Sequence, residues 1–134
     1  MGWNMPAYLQ HPGARVVAVC DVDPRHLEEA KGTVDRHYKD AACFATKDFR
    51  EVLARKDVDA VIIARDDYES HLELALPFLK TGLPVFIDKP LTVDIEELRI
   101  FRPYLESGKL MSCSAMRYAR ELDPLRISIP SFGP

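Results

Sequence analysis

Two short apolar runs restrict what this chain can fold into. They are Asp59-Ala-Val-Ile-Ile-Ala64 and Pro84-Val-Phe-Ile-Asp-Lys-Pro90, each apolar at consecutive positions and each followed by polar residues. Runs without alternation fit strands buried on both faces, as in a parallel sheet covered by helices. A helix-patterned segment over 68–80 joins them, with Leu72, Leu76 and Leu79 on one face. In such sheets ligands bind at the carboxyl ends of the strands. Arg65-Asp66-Asp67 and Asp88-Lys89-Pro90 are therefore expected side by side on that edge.

The other segments fit the same scheme. Residues 3–11 read as the end of a helix, stopped at His11-Pro-Gly13. Arg-Val-Val-Ala-Val-Cys over 15–20 reads as a strand, and Asp23 caps the next helix with Pro24 at its first position. That helix is expected to stop at Gly32, with 33–41 irregular. A weak strand over 42–45 leads to a helix over 47–55 capped by Thr46. The 68–80 helix should kink at Pro77 and stop at Gly82. A helix capped by Thr92 or Asp94 runs to about 106; with Asp94 as cap, Glu97 takes the capping-box position. A last strand covers 110–116, and the chain after Arg126 reads as a loose end. Strand and helix alternate throughout, which predicts an α/β fold with a parallel sheet and helices on both faces.

Composition narrows the partners. With 134 residues the chain is long enough for one domain with a real core. A net charge of -3 gives no basic footprint for nucleic acid. No apolar run reaches the length of a membrane span, and no signal peptide is visible. Cys20, Cys43 and Cys113 are far apart and odd in number, which favours small buried thiols in a reducing, cytoplasmic setting. The four histidines show no metal-ligand spacing.

Three groups could carry chemistry. Asp21 follows the first strong strand, where a carboxylate can accept ribose hydroxyls; it would repel a 2′-phosphate and so favour NAD over NADP. The competing reading is a turn or cap residue, but Asp23 is the better cap. Lys89 stands at a strand end, where burial would bring an ammonium group into the acid–base range; the competing reading is an exposed turn lysine. His71 either faces the ligand edge or covers its own helix terminus. Arg65 either binds an anionic group or pairs with Asp66 or Asp88.

At this point the residues match a family. Ala14-Arg-Val-Val-Ala-Val-Cys-Asp-Val-Asp-Pro24, Asp48-Phe-Arg-Glu-Val-Leu53, Val58-Asp-Ala-Val-Ile-Ile-Ala64 and Gly82-Leu-Pro-Val-Phe-Ile-Asp-Lys-Pro-Leu91, in that order, resemble the Gfo/Idh/MocA oxidoreductases. The resemblance covers about residues 7–120. It implies a Rossmann-like domain binding NAD or NADP, followed by a second domain, and hydride transfer on sugars or polyols. It places Lys89 near nicotinamide and substrate, Asp21 on the ribose, and Ala64, Arg65, His71, Asp88 and Pro90 along the cofactor. The family's Glu-Lys-Pro has Asp88 for Glu here, and Arg65 and Asp66 replace its Thr-Pro.

The resemblance also implies two missing parts. The first strand and its Gly-x-Gly-x-x-Gly turn are lacking, with Gly2 as a remnant, and so is the C-terminal domain. Residues 1–120 then form a partial dinucleotide-binding domain, and 121–134 a tail or the start of the next domain. The missing strand is the central one, so its neighbours should show unpaired edges, each buried orphan group costing about 1–3 kcal/mol. A portion of a longer protein is the expected explanation. The alternative is a non-catalytic module that forms homo-oligomers through its open edges. A flavodoxin-like domain is a weaker option, because no phosphate loop for it is found.

Overall fold

The computed structural model describes residues 5–114. The sequence-based readings at Gly2, beyond Ser114 and over 121–134 lie outside those residues. The described chain runs α1 (Met5–Gln10), β1 (Ala18–Cys20), α2 (Pro24–Tyr38), β2 (Phe44–Thr46), α3 (Phe49–Leu53), β3 (Val61–Ile63), a 3-10 turn (Tyr68–Ser70), α4 (His71–Lys80), β4 (Val85–Ile87), α5 (Ile95–Glu106) and β5 (Leu110–Ser112). The alternation is the α/β pattern expected, and all paired strands are parallel.

The strands form two sheets rather than one. β1 pairs with β2, while β3, β4 and β5 make a second sheet in that order. Among the described residues no ladder joins β1 to β3. Each sheet has its own core. Leu9, Val19, Ala30, Val34 and Cys43 pack under the first, with Leu27 and Tyr38 at the margin. Ile63, Ala75, Phe78, Leu79, Val85, Ile87, Phe101 and Leu110 pack under the second. α3 bridges them: it touches β1, β2 and α4, and its Phe49 ring lies 6.0 Å from that of Phe78.

Gly32 does not stop α2. The helix continues to Tyr38 and ends at Lys39, which takes the left-handed conformation at φ 57°. Burial explains the difference. Ala30 and Val34, four residues apart, are both in the core, and burying an apolar side chain is worth about 1.5–3 kcal/mol. Glycine in a helix costs about 1 kcal/mol. Tyr38 adds an anchor, its hydroxyl accepting from the Val16 N–H at 3.1 Å.

Two helix starts share one hydrogen-bond scheme. Thr46 was the expected cap of α3, but Asp48 fills that place and accepts from the Arg50 N–H at 2.9 Å. Thr46 sits two residues earlier: its hydroxyl accepts from the Asp48 N–H at 3.0 Å and donates to Glu51 at 2.7 Å. At α5, Asp94 caps the Glu96 and Glu97 N–H groups. Thr92 accepts from the Asp94 N–H at 3.0 Å and donates to Glu97 at 2.5 Å. Glu97 therefore closes the cap through Thr92 rather than directly on the Asp94 N–H. Thr-x-Asp-x-x-Glu stands at both sites, with Asp48 taking one orphan donor and Asp94 two.

The expected 68–80 helix opens with the 3-10 turn and then holds Pro77 inside α4. β1 is shorter than its sequence signal, starting at Ala18. On one face of the larger sheet the register aligns Ile62, Phe86 and Met111. Ile62 and Met111 are 43% and 46% exposed. No helix among the described residues is long and apolar enough to cross a membrane.

Candidate functional site at the carboxyl edge

Asp21 directly follows β1, Ala64 and Arg65 follow β3, and Asp88 and Lys89 follow β4. The two sheets present these ends together. The Arg65 guanidinium is held above its ordinary range first by its hydrogen bond to Asp67, and the nearby charge of Asp21 adds to this. The edge thus carries Asp21, Arg65 and Asp88-Lys89 across the boundary between the sheets.

Asp21 is not left free by Asp23. Asp23 caps α2 through the Arg25 N–H at 2.8 Å, as expected. Yet one Asp21 oxygen accepts from the Asp23 N–H at 2.9 Å, closing the turn after β1. Its other oxygen lies 3.7 Å from His26 Nδ1, and the side chain is 14% exposed. One lone-pair face of the carboxylate is thereby fixed in direction, and the second oxygen remains to accept.

Arg65 pairs with Asp67, not with Asp66 or Asp88. The contact is bidentate, at 2.6 and 2.9 Å. The fork geometry suits a carboxylate two residues on, and Asp88 is already engaged. Its backbone N–H donates to the Ile63 carbonyl at 2.9 Å. Its carboxylate accepts from the Lys89 N–H at 2.8 Å.

The Arg65 hydrogen bond, followed by one from Ser70, lowers the Asp67 carboxyl from 3.8 to about 2. A depressed folded-state value means that the pair's contribution is complete above 3.8 and is lost as pH falls toward 2. Carboxyl carbon shifts followed by NMR should show Asp67 titrating near 2, and Arg65→Ala should bring the midpoint back toward 3.8. A midpoint unmoved by that substitution would remove Arg65 as the cause.

Lys89 is exposed, so the burial expected for it is not supplied by the described residues. Pro90 is exposed as well, and the Lys89–Pro90 peptide is cis. His71 behaves differently. It is fully buried, at 0% exposure. Its Nδ1 lies 3.1 Å from the Pro90 carbonyl and 3.2 Å from that of Leu91, and its Nε2 lies 3.3 Å from the Arg65 carbonyl. His71 ties the loop after β3 to the loop after β4, and so sets the position of Arg65 and Lys89. A neutral ring has one N–H and can donate on one side only.

Tyr8 is a neighbour the sequence did not reveal. Partial burial raises its phenol, and the Asp88 charge adds to the effect. Only an aromatic residue in a short terminal helix marks it in the sequence.

Parallel strands alternating with flanking helices, with acidic and basic groups following the strands, define an α/β domain of the Rossmann-like class. The comparisons carry this further. Residues 3–111 match the model of the oxidoreductase family with an NAD-binding Rossmann fold, Gfo/Idh/MocA, and the chain belongs to that family. It is 36% identical over 107 residues to the inositol 2-dehydrogenase of Burkholderia multivorans, covering 78% of this chain and 30% of that protein. A Gfo/Idh/MocA family oxidoreductase from Vibrio cholerae superposes with a TM-score of 0.73 at 27% identity, covering 97% of this chain and 40% of that one. The scyllo-inositol dehydrogenase of Lactobacillus casei, solved with NAD(H) and scyllo-inositol, shares the fold at a TM-score of 0.77 and 20% identity over 94% of this chain and 36% of its own. The chain spans about a third of the length of these relatives.

Proposed function

We propose that this domain holds the adenosine and nicotinamide ends of NAD for an oxidoreductase acting on inositol-like polyols. The observation that supports it is the Asp21 carboxylate at the end of β1, one oxygen held by the Asp23 N–H and the other 3.7 Å from His26 Nδ1 without a hydrogen bond to it. That oxygen suits a ribose hydroxyl and would repel a 2′-phosphate, so NAD is preferred to NADP. The fit is partial. Among the described residues the glycines stand in α2 or ahead of β1, β4 and β5. None lies on the carboxyl edge, where a diphosphate needs close backbone approach, so no residue is assigned to that part. Bound NAD would supply the hydride acceptor. Lys89, placed by His71 through Pro90, orients a substrate hydroxyl and moves its proton.

Calorimetric titration tests the first part. Asp21→Ala is expected to weaken NAD binding about tenfold or more, since a hydrogen bond to a charged group is worth about 1.5–3 kcal/mol. The preference over NADP should shrink with it. Equal affinities in wild type and variant would remove Asp21 from the ribose.

A second reading starts from the edges of β1 and β3, which no ladder joins among the described residues: a non-catalytic module that forms homo-oligomers through them. A tight oligomer on size-exclusion chromatography, together with no NAD binding, would select it.

A further inference from the structure

We propose that the outward stripe of α4 is an interface with a second copy of this chain, the two helices packing antiparallel about a twofold axis. The stripe runs from Glu69, in the turn before the helix, through Leu72, Glu73, Leu76 and Pro77 to Lys80. With Glu97 of α5 it lines an open cleft of about 570 Å³. Spacings of three and four residues put these positions on one side. The other side of α4 is spent on the core, where His71, Ala75, Phe78 and Leu79 are buried. Leu76 and Pro77 join neither core among the described residues, and both are half-buried. The inference goes beyond the cofactor reading and does not depend on it.

The order of charges along the stripe carries it. Neighbours on a helix surface stand three and four residues apart. Counted forward from Glu73, those positions hold Leu76 and Pro77; counted back from Lys80, they hold the same two residues. The two charges therefore stand about 10 Å apart along the axis, at 1.5 Å per residue. Both are exposed. Among the described residues neither side chain makes a hydrogen bond or ion pair, and neither does that of Glu69. A carboxylate and an ammonium group thus bracket an apolar patch without meeting each other.

Reversing the stripe supplies what each end lacks. With the twofold axis between Leu76 and Pro77, Leu76 of one copy meets Pro77 of the other. Glu73 meets Lys80, and symmetry makes this pair twice. A contact of this kind uses the same patch on both copies and closes at a dimer. Pro77 carries no N–H, so the Glu73 carbonyl has no donor four residues on, and the ammonium group opposite has three N–H donors to offer. A purely basic partner would match Glu69 and Glu73 but would set like charge against Lys80. A second copy matches both ends. One helix stripe is small beside the roughly 1,200–2,000 Å² of a stable interface, so the dimer is weak and depends on concentration.

Sedimentation equilibrium on the full 134-residue chain tests it. The chain should pass from monomer to dimer as concentration rises, and added salt should weaken the dimer. Glu73→Lys and Lys80→Glu, both at exposed positions, should each weaken dimerisation by about tenfold or more, because the twofold axis makes every substitution count twice. Mixed in equal amounts, the two variants should form a heterodimer at least as tight as the wild-type dimer, since both ion pairs return with signs exchanged. A monomer at every concentration would overturn the interface. So would a mixture no tighter than either variant alone, or a dimer that neither substitution weakens, as one through the edges of β1 and β3 would be. A wild type that stays monomeric but binds a lysine-rich amphipathic helical peptide would overturn the second copy in favour of a basic partner.

Discussion

His71→Ala is expected to cost about 3 kcal/mol of unfolding free energy. Two effects add. The ring is fully buried, so truncation leaves a cavity. The carbonyls of Arg65, Pro90 and Leu91 also lose the ring nitrogens facing them, and a neutral ring donates on one side, so this adds the net worth of a hydrogen bond, about 0.5–1.5 kcal/mol. The loss should be local first. Hydrogen exchange should quicken over 64–67 and 88–92 before it changes in α2. His71→Gln keeps one donor and should recover part of the stability. Denaturant titration checks the magnitude; a change below about 1 kcal/mol would mean the ring ties nothing together.

Lys89→Ala should act on turnover and not on folding. Lys89 is exposed, and its side chain makes no hydrogen bond or ion pair among the described residues. The suitable test is a chimera in which residues 5–114 replace the matching stretch of a full-length inositol dehydrogenase. There kcat is expected to fall about 10²–10⁴-fold, the usual contribution of a positioned acid–base group. The Kd for NAD should stay within about twofold, because the interaction lost is made with substrate in the transition state. Retained NAD binding also shows that the chimera is folded. Undiminished kcat would end the assignment of proton transfer to this ammonium group.

The parts of the fold written in local chemistry were legible. Consecutive apolar residues at 61–63 and 85–87 gave parallel strands, although Ile62 is 43% exposed rather than buried, and Asp23 and Asp94 announced the helices they cap. The misreadings share a physical cause. Gly32 looked like a stop because its local cost is visible, while the burial of Val34 against a distant strand is not. Thr46 and Asp48 are both good caps by type, and the choice depends on where β2 ends. Arg65 was set against Asp66 and Asp88, and the carboxylate it pairs with, Asp67, was not considered. The role of His71 depends on Pro90, 19 residues away, and no spacing rule reports that. Asp21 was placed correctly on the edge, but its engagement by the Asp23 N–H was missed.

The two cores meet mainly through α3, with Phe49 against Phe78 as the joint. Such a body can lose its halves separately, since among the described residues no ladder obliges β1 and β3 to melt together. A dinucleotide reaching from Asp21 to Lys89 would have one end on each half. Its binding would act as a cross-brace, turning two loosely coupled melting units into one that melts all at once.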